Sequence, residues 1–151
     1  MKELIKKLSE KNLTIGSVES MTGGIFASNI TDVSGASKVF KGSIVTYSNE
    51  VKQNVVGVDK ETIRRHSVVS APVAEEMAKK GQKLLNVDIC ISVTGNAGPT
   101  CEPGEEKVGS VYIGLAIGDK YFAKHLNLSG NRSMIRLNTF FAMRDFILEN
   151  L

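Results

Sequence analysis

The segment SAPVAEEMAKKGQKLLNVDICISV, residues 70–93, decides the fold class. Ser70 has the character of an N-cap, Pro72 stands in the first turn, and Glu75 and Glu76 follow near the positive end of the helix. Ala74, Met77, Ala78, Gly81, Leu84 and Leu85 then recur at i, i+3, i+4 and i+7 spacing, which predicts one amphipathic helix. From Val87 to Val93 the period disappears and the run becomes nearly all apolar, as in a strand covered on both faces. Such a strand needs helices above and below it. The expectation is α/β.

Working outward gives the same alternation. Toward the N-terminus, residues 2–11 place Leu4, Ile5 and Leu8 on one helical face, Thr14 to Val18 is β-prone, and Ile25 to Ile30 reads as a helix. Gly42 to Tyr47 is the next strand, followed by a short helix from Asn49 to Val55. Toward the C-terminus comes a Gly- and Pro-rich loop, residues 94–109. Val111–Ile117 and Tyr121–Leu126 then flank Gly118-Asp119-Lys120 as a hairpin. The last stretch, Asn131 to Leu151, carries Leu137, Phe140, Phe141, Ile147 and Leu148 as an apolar stripe. The pattern predicts a three-layer α/β sandwich with a mixed sheet, in a single domain over residues 1–151.

Composition narrows the function classes. With 151 residues, 42% hydrophobic and 23% charged, the chain can hide roughly 68–70% of its unfolded surface around one core. Its charge of +3 is spread without a basic run, so nucleic acid is not expected as a partner. Cys90 and Cys101 form neither a disulfide framework nor a zinc pair, and His66 and His125 are isolated, so no metal is expected. The first ten residues lack the apolar stretch of a signal peptide, and no apolar run approaches membrane-spanning length. A cytoplasmic protein with no membrane partner is expected.

Three segments hold polar groups where a packed core does not want them. Glu19-Ser20-Met21-Thr22-Gly23-Gly24 follows a strand and opens a helix, the place where open α/β sheets bind ligands and where amides can face an oxyanion. The plainer reading makes Ser20 or Thr22 a helix cap. Tyr47-Ser48-Asn49-Glu50-Val51-Lys52 ends the next strand, and Lys52 becomes a base if burial lowers its pKa; otherwise it is a solvated helix lysine and Tyr47 a rim aromatic. The spacing from Tyr47 to Lys52 is one residue too long for a short-chain dehydrogenase, and no Gly-x-Gly-x-x-Gly follows a strand. Thr94-Gly95-Asn96-Ala97-Gly98-Pro99-Thr100 offers backbone amides after the central strand, or else is a turn. Arg132 and Arg136 share one face at the start of the last helix, where they fit an anion or ordinary surface charge.

Together these motifs resemble one family, the CinA C-terminal domain and the nicotinamide mononucleotide deamidases of the PncC type. The resemblance rests on Glu19 to Gly24, on Tyr47, Ser48, Asn49 and Lys52, and on Val93 to Pro99, supported by residues 32–37, Val69-Ser70, 108–113, and Arg132 with Arg136. It runs from about residue 3 to the C-terminus and departs from the family pattern at Met21, Asn96 and the acidic loop 100–107. It implies hydrolysis of the carboxamide of nicotinamide mononucleotide to nicotinic acid mononucleotide and ammonia, without a cofactor. Ser20 would be the nucleophile, Lys52 the base, and Tyr47 a relay. Amides around Thr22, Gly23 and Gly24 would hold the oxyanion. Asn49, Thr94, Gly95, Asn96, Ala97, Gly98, Arg132 and Arg136 would bind the nucleotide, with Arg136, deeper in the helix, expected on the phosphate. Glu102, Glu105 and Glu106 would point away from that phosphate. The family also implies a homo-oligomer, most simply a dimer. The alternative is a module of the same fold that binds a nucleotide or a partner without turnover.

Overall fold

The computed structural model describes residues 1–101 and 103–151. Five strands form one sheet: β1 Ile15–Glu19, β2 Phe40–Val45, β3 Ile89–Gly95, β4 Ser110–Ile117 and β5 Lys120–Asn127. Their spatial order is β2-β1-β3-β4-β5. β2, β1 and β3 are parallel, and β4 and β5 add on antiparallel, so the sheet is mixed. The helices are α1 Lys2–Glu10, α2 Ile25–Thr31, α3 Ala36–Val39, α4 Asn49–Val51, α5 Lys60–His66, α6 Ala71–Leu85 and α7 Arg132–Asn150, with a π-helical turn over Lys52–Val56.

The sheet has an apolar layer on each side. On one face, Leu4, Leu8, Phe26, Ile30, Ile135, Phe140 and Ile147 from α1, α2 and α7 pack on Ile15, Ile91, Ile113 and Leu115. On the other, Val73, Met77 and Ala78 of α6 pack on Val18, Cys90 and Ala116. That is the three-layer sandwich expected from a central strand buried on both sides. α6 starts where the sequence indicates, with the Ser70 hydroxyl accepting from the Val73 amide. It lies so close to β4 that a Cβ at Gly114 would stand 2.1 Å from the Ala74 carbonyl oxygen. Only glycine fits there.

The structure also departs from the sequence reading. α3 and α5 are additional, and the expected helix from Asn49 becomes one α turn continued as the π turn to Val56. β2 ends at Val45 rather than Tyr47, because the next carbonyl, that of Thr46, turns to accept from the Lys52 ammonium. On α7, Leu137 and Phe141 are 46% and 39% exposed, and Ile135 and Met143 take the core positions instead. No helix among the described residues is long and apolar enough to cross a membrane.

This topology places the candidate residues. Glu19 of β1 is level with Val45 of β2 and Val93 of β3, so β1 and β2 end together and β3 runs two residues further, to Gly95. The connection from β1 to β2 runs through α2 and α3, on one face. That from β2 to β3 runs through α6, on the other. The neighbouring strand ends therefore open onto a crevice, where ligands bind in sheets of this kind.

Candidate active site

The crevice is a cleft of about 200 Å³. Ser20 and Met21 come from the loop after β1, Tyr47 from that after β2, Gly95 from the last position of β3, Asn96 to Gly98 and Thr100 from the loop after it, and Arg132 from the start of α7. A larger hollow of about 440 Å³ lies against α5 and α6, lined by Thr62, His66, Pro72 and Lys79 among others. It contains no serine beside a buried base among the described residues, and the smaller cleft does.

Ser20 and Lys52 are both buried, at 7% and 2% exposed. The Lys52 Nζ lies 2.8 Å from the Ser20 Oγ and donates to the Thr46 carbonyl at 2.9 Å. No carboxylate pairs with Lys52 among the described residues. Burial penalises the ammonium, so its pKa falls from the ordinary lysine value to about 8. A neutral amine is thereby accessible near neutral pH, within hydrogen-bond reach of a serine hydroxyl. That is the arrangement of an activated nucleophile and its base.

The turn that carries Ser20 is tied from two sides. Inside, the Glu19 carboxylate, fully buried, accepts from the Thr22 hydroxyl at 2.8 Å and from the amides of Gly24, Phe26 and Ala27 at 3.0 to 3.2 Å. Outside, the Arg136 guanidinium donates to the Met21 and Thr22 carbonyls at 3.0 and 2.8 Å. Gly24 can sit at the N-cap of α2 because its φ is +100°, a left-handed value natural to glycine.

These contacts revise several expected roles. Gly23 and Gly24 cannot both face an oxyanion, since the Gly23 amide donates to the Ser20 carbonyl and that of Gly24 to Glu19. The amides of Met21 and Thr22 donate to no protein group among the described residues, but only Met21 lines the cleft, and Thr22 is fully buried. Arg136 is engaged by the turn and is not the arginine in the cleft; Arg132 is. The Arg132 guanidinium donates to the Gly98 carbonyl at 2.6 Å and to the Tyr47 hydroxyl at 2.8 Å, spanning two of the three loops. Tyr47 is 63% exposed and bonds to neither Ser20 nor Lys52, so it stands at the rim rather than between those two side chains.

The remaining predicted residues divide. Gly95, Asn96, Ala97 and Gly98 line the cleft, whereas Asn49 and Thr94 do not. Thr94 donates its hydroxyl to the Val68 carbonyl at 2.9 Å and ties down the approach to α6. Asn96 is braced by its neighbours: its side-chain amide donates to the Glu106 carbonyl, and its own carbonyl accepts from the Gly109 amide at 2.8 Å. Glu106 turns its carboxylate to the Ser110 hydroxyl at 3.2 Å, and Glu102 lies outside the described residues. No three His, Cys, Asp or Glu side chains are grouped as a metal ion would need, among the described residues.

Sequence reasoning passed over Glu19 as a site residue. The signal was available: a carboxylate closing a strand whose other residues suit burial must find donors, and the glycine turn after it supplies amides.

Comparison with known proteins agrees with this architecture. The family model for the CinA C-terminal domain matches residues 1–151. A competence-damage inducible protein of Thermoanaerobacter pseudethanolicus is 49% identical over 152 residues, covering 100% of the chain and 37% of that protein. A similarly described protein of Bacillus subtilis is 48% identical over 136 residues, covering 90% of the chain and 32% of its own length. The chain thus spans about a third of the length of these relatives. Among solved structures, the competence or damage-inducible protein of Enterobacter asburiae superposes with a TM-score of 0.96 at 25% identity, covering 99% of the chain and 94% of that structure. The competence/damage inducible protein CihA of Agrobacterium tumefaciens gives 0.93 at 27%, covering 98% and 91%.

Proposed function

The chain belongs to the CinA C-terminal domain family, and from its cleft we propose that it hydrolyses a carboxamide, that of nicotinamide mononucleotide, to the acid and ammonia. The observation that carries the reading is the buried Lys52 Nζ at 2.8 Å from the Ser20 Oγ. A domain that only binds a nucleotide has no need to bury an unpaired lysine against a serine, an arrangement that stability alone disfavours.

The reaction runs as acyl transfer. Neutral Lys52 takes the Ser20 proton as Oγ bonds to the carboxamide carbon, and the oxyanion forms beside the Met21 amide, at the lining of the cleft. The tetrahedral adduct collapses with cleavage of the C–N bond, and Lys52 returns the proton to the departing ammonia. Water then attacks the ester, giving its proton to Lys52, and the acid leaves as Ser20 recovers its hydrogen. Each preorganised amide is worth about 2.7–4 kcal/mol where such donors have been removed. No step requires a cofactor. Incubating the purified chain with nicotinamide mononucleotide should release ammonia and nicotinic acid mononucleotide in equal amounts. Saturable binding without product would favour the binding module instead.

Arg132 and the Gly95–Gly98 backbone are proposed to receive the phosphate, the guanidinium exchanging the Gly98 carbonyl and Tyr47 hydroxyl for a charge-assisted pair. Arg132→Ala should raise KM for the mononucleotide at least about tenfold more than for the dephosphorylated riboside. Equal effects on both would make Arg132 a brace between loops. Met134, Leu137 and Phe141, exposed on one face of α7, support pairing of two cytoplasmic copies about a two-fold axis. Sedimentation at micromolar concentration should show a dimer, and a lone 16.3 kDa species would contradict it.

A further inference from the structure

We infer that Glu19 is the positioning residue of the Ser20 nucleophile, an internal anion around which the Ser20–Gly24 turn is assembled. The inference rests on the amidase reading only in taking Ser20 to be the nucleophile. Its footing is the set of groups that meet the carboxylate. Oε2 accepts from the Thr22 hydroxyl, the Gly24 amide and the Phe26 amide at 2.8, 3.1 and 3.2 Å. Oε1 accepts from the Ala27 amide at 3.0 Å, with the Ser17 and Ser43 hydroxyls at 3.3 and 3.4 Å. Glu19 is fully buried and has no cationic partner among the described residues.

The chemistry of those donors selects the carboxylate. Three are backbone amides, which can only donate, so a group that is acceptor-only fits where one carrying N–H or O–H does not. The amides of Gly24, Phe26 and Ala27 are also among those that the first turn of α2 leaves without helical partners. A helix start in this position would ordinarily draw an external anion. Here the chain supplies its own, one residue before the nucleophile. The consequence is a division of labour. The start of α2 is closed to substrate, and the turn it anchors holds Ser20 against Lys52, leaving the Met21 amide, which lines the cleft, for the reacting group. Because burial alone sets the Lys52 basicity, Glu19 acts on the placement of Ser20 and not on the proton affinity of its base.

The test uses phenylmethanesulfonyl fluoride on the whole chain. Ser20 Oγ forms the bond to sulfur, the S–F bond breaks, fluoride leaves, and Lys52 takes the hydroxyl proton. Labelling rates are read by mass spectrometry across pH for the unaltered chain, Glu19→Gln and Glu19→Asp, beside thermal unfolding. Glu19→Gln keeps the shape but turns an amide donor toward donors. Its high-pH rate should fall about 100-fold, as expected for a reacting atom displaced by about 1 Å, with the midpoint still near pH 8. Glu19→Asp keeps the acceptor but cannot reach every amide, and should lose about tenfold; it serves where the glutamine variant does not fold. An undiminished rate in either folded variant overturns the inference. So does a slow rate with the midpoint moved up toward that of an ordinary lysine, since water would then have reached Lys52 through a loosened fold. An unlabelled Ser20 in the unaltered chain overturns it together with the nucleophile assignment. Absence of ammonia release, with the labelling ratios as stated, overturns only the substrate.

Discussion

Replacing Ser20 with alanine is expected to lower ammonia release from nicotinamide mononucleotide by about 10⁴- to 10⁶-fold, the range seen when a serine nucleophile is removed from a machine whose parts act together. The fold should survive, because the side-chain bond of Ser20 is to Lys52, and Lys52 keeps its bond to the Thr46 carbonyl. Substrate binding should change little, as Arg132 and the Gly95–Gly98 loop are untouched. Steady-state ammonia assays with calorimetric binding separate the two effects. Turnover retained within about tenfold would place the nucleophile elsewhere.

The second large effect belongs to Lys52. Lys52→Met preserves length and apolar volume while deleting the base, and should lower kcat about 10²- to 10⁴-fold. In the unaltered chain, activity should rise through about pH 8 as Lys52 loses its proton, and the variant should lack that rise. Stability carries the same signature. The folded chain releases the Lys52 proton near pH 8, whereas the unfolded chain holds it until about 10.5. Between those values the unfolded state binds more protons, so stability rises with pH, by about 3 kcal/mol over the full interval. Below pH 8 both states carry the proton, and the contribution is flat. Urea unfolding at successive pH values should show the rise in the unaltered chain and not in Lys52→Met. A rise of the same size in both would mean that Lys52 is not the group responsible.

How much of this was legible in the sequence depended on pattern length. α6 and β3 are each long enough for a period, or its loss, to register, and Ser70 marks the boundary between loop and helix. α3 has four residues and α5 seven, too few for periodicity, and tertiary packing decides them. Leu137 and Phe141 suit a buried stripe by composition, yet which face of α7 meets the sheet is set by its crossing, which no local pattern contains. The site shows the same divide. The motifs named Ser20 and Lys52, and topology alone brings residues 32 positions apart to 2.8 Å. Arg132 and Arg136 are equivalent by spacing. One helical turn separates them, and that displacement sends the first into the cleft and the second to the carbonyls of the Ser20 turn. Tyr47 follows from neither: its distance from Lys52 reflects where the chain leaves β2, a bend set by the Thr46 carbonyl.

The central claim is that the amide passes through an ester on Ser20, and trapping with hydroxylamine tests it most directly. Hydroxylamine competes with water for an acyl-enzyme without requiring that intermediate to accumulate. Turnover of nicotinamide mononucleotide in its presence should divert part of the product to the nucleotide hydroxamate, with ammonia release undiminished. An ester of the same acid should give the same hydroxamate-to-acid ratio, because both substrates share one intermediate. Acid as the sole product, or a ratio that depends on the leaving group, would contradict the covalent route through Ser20.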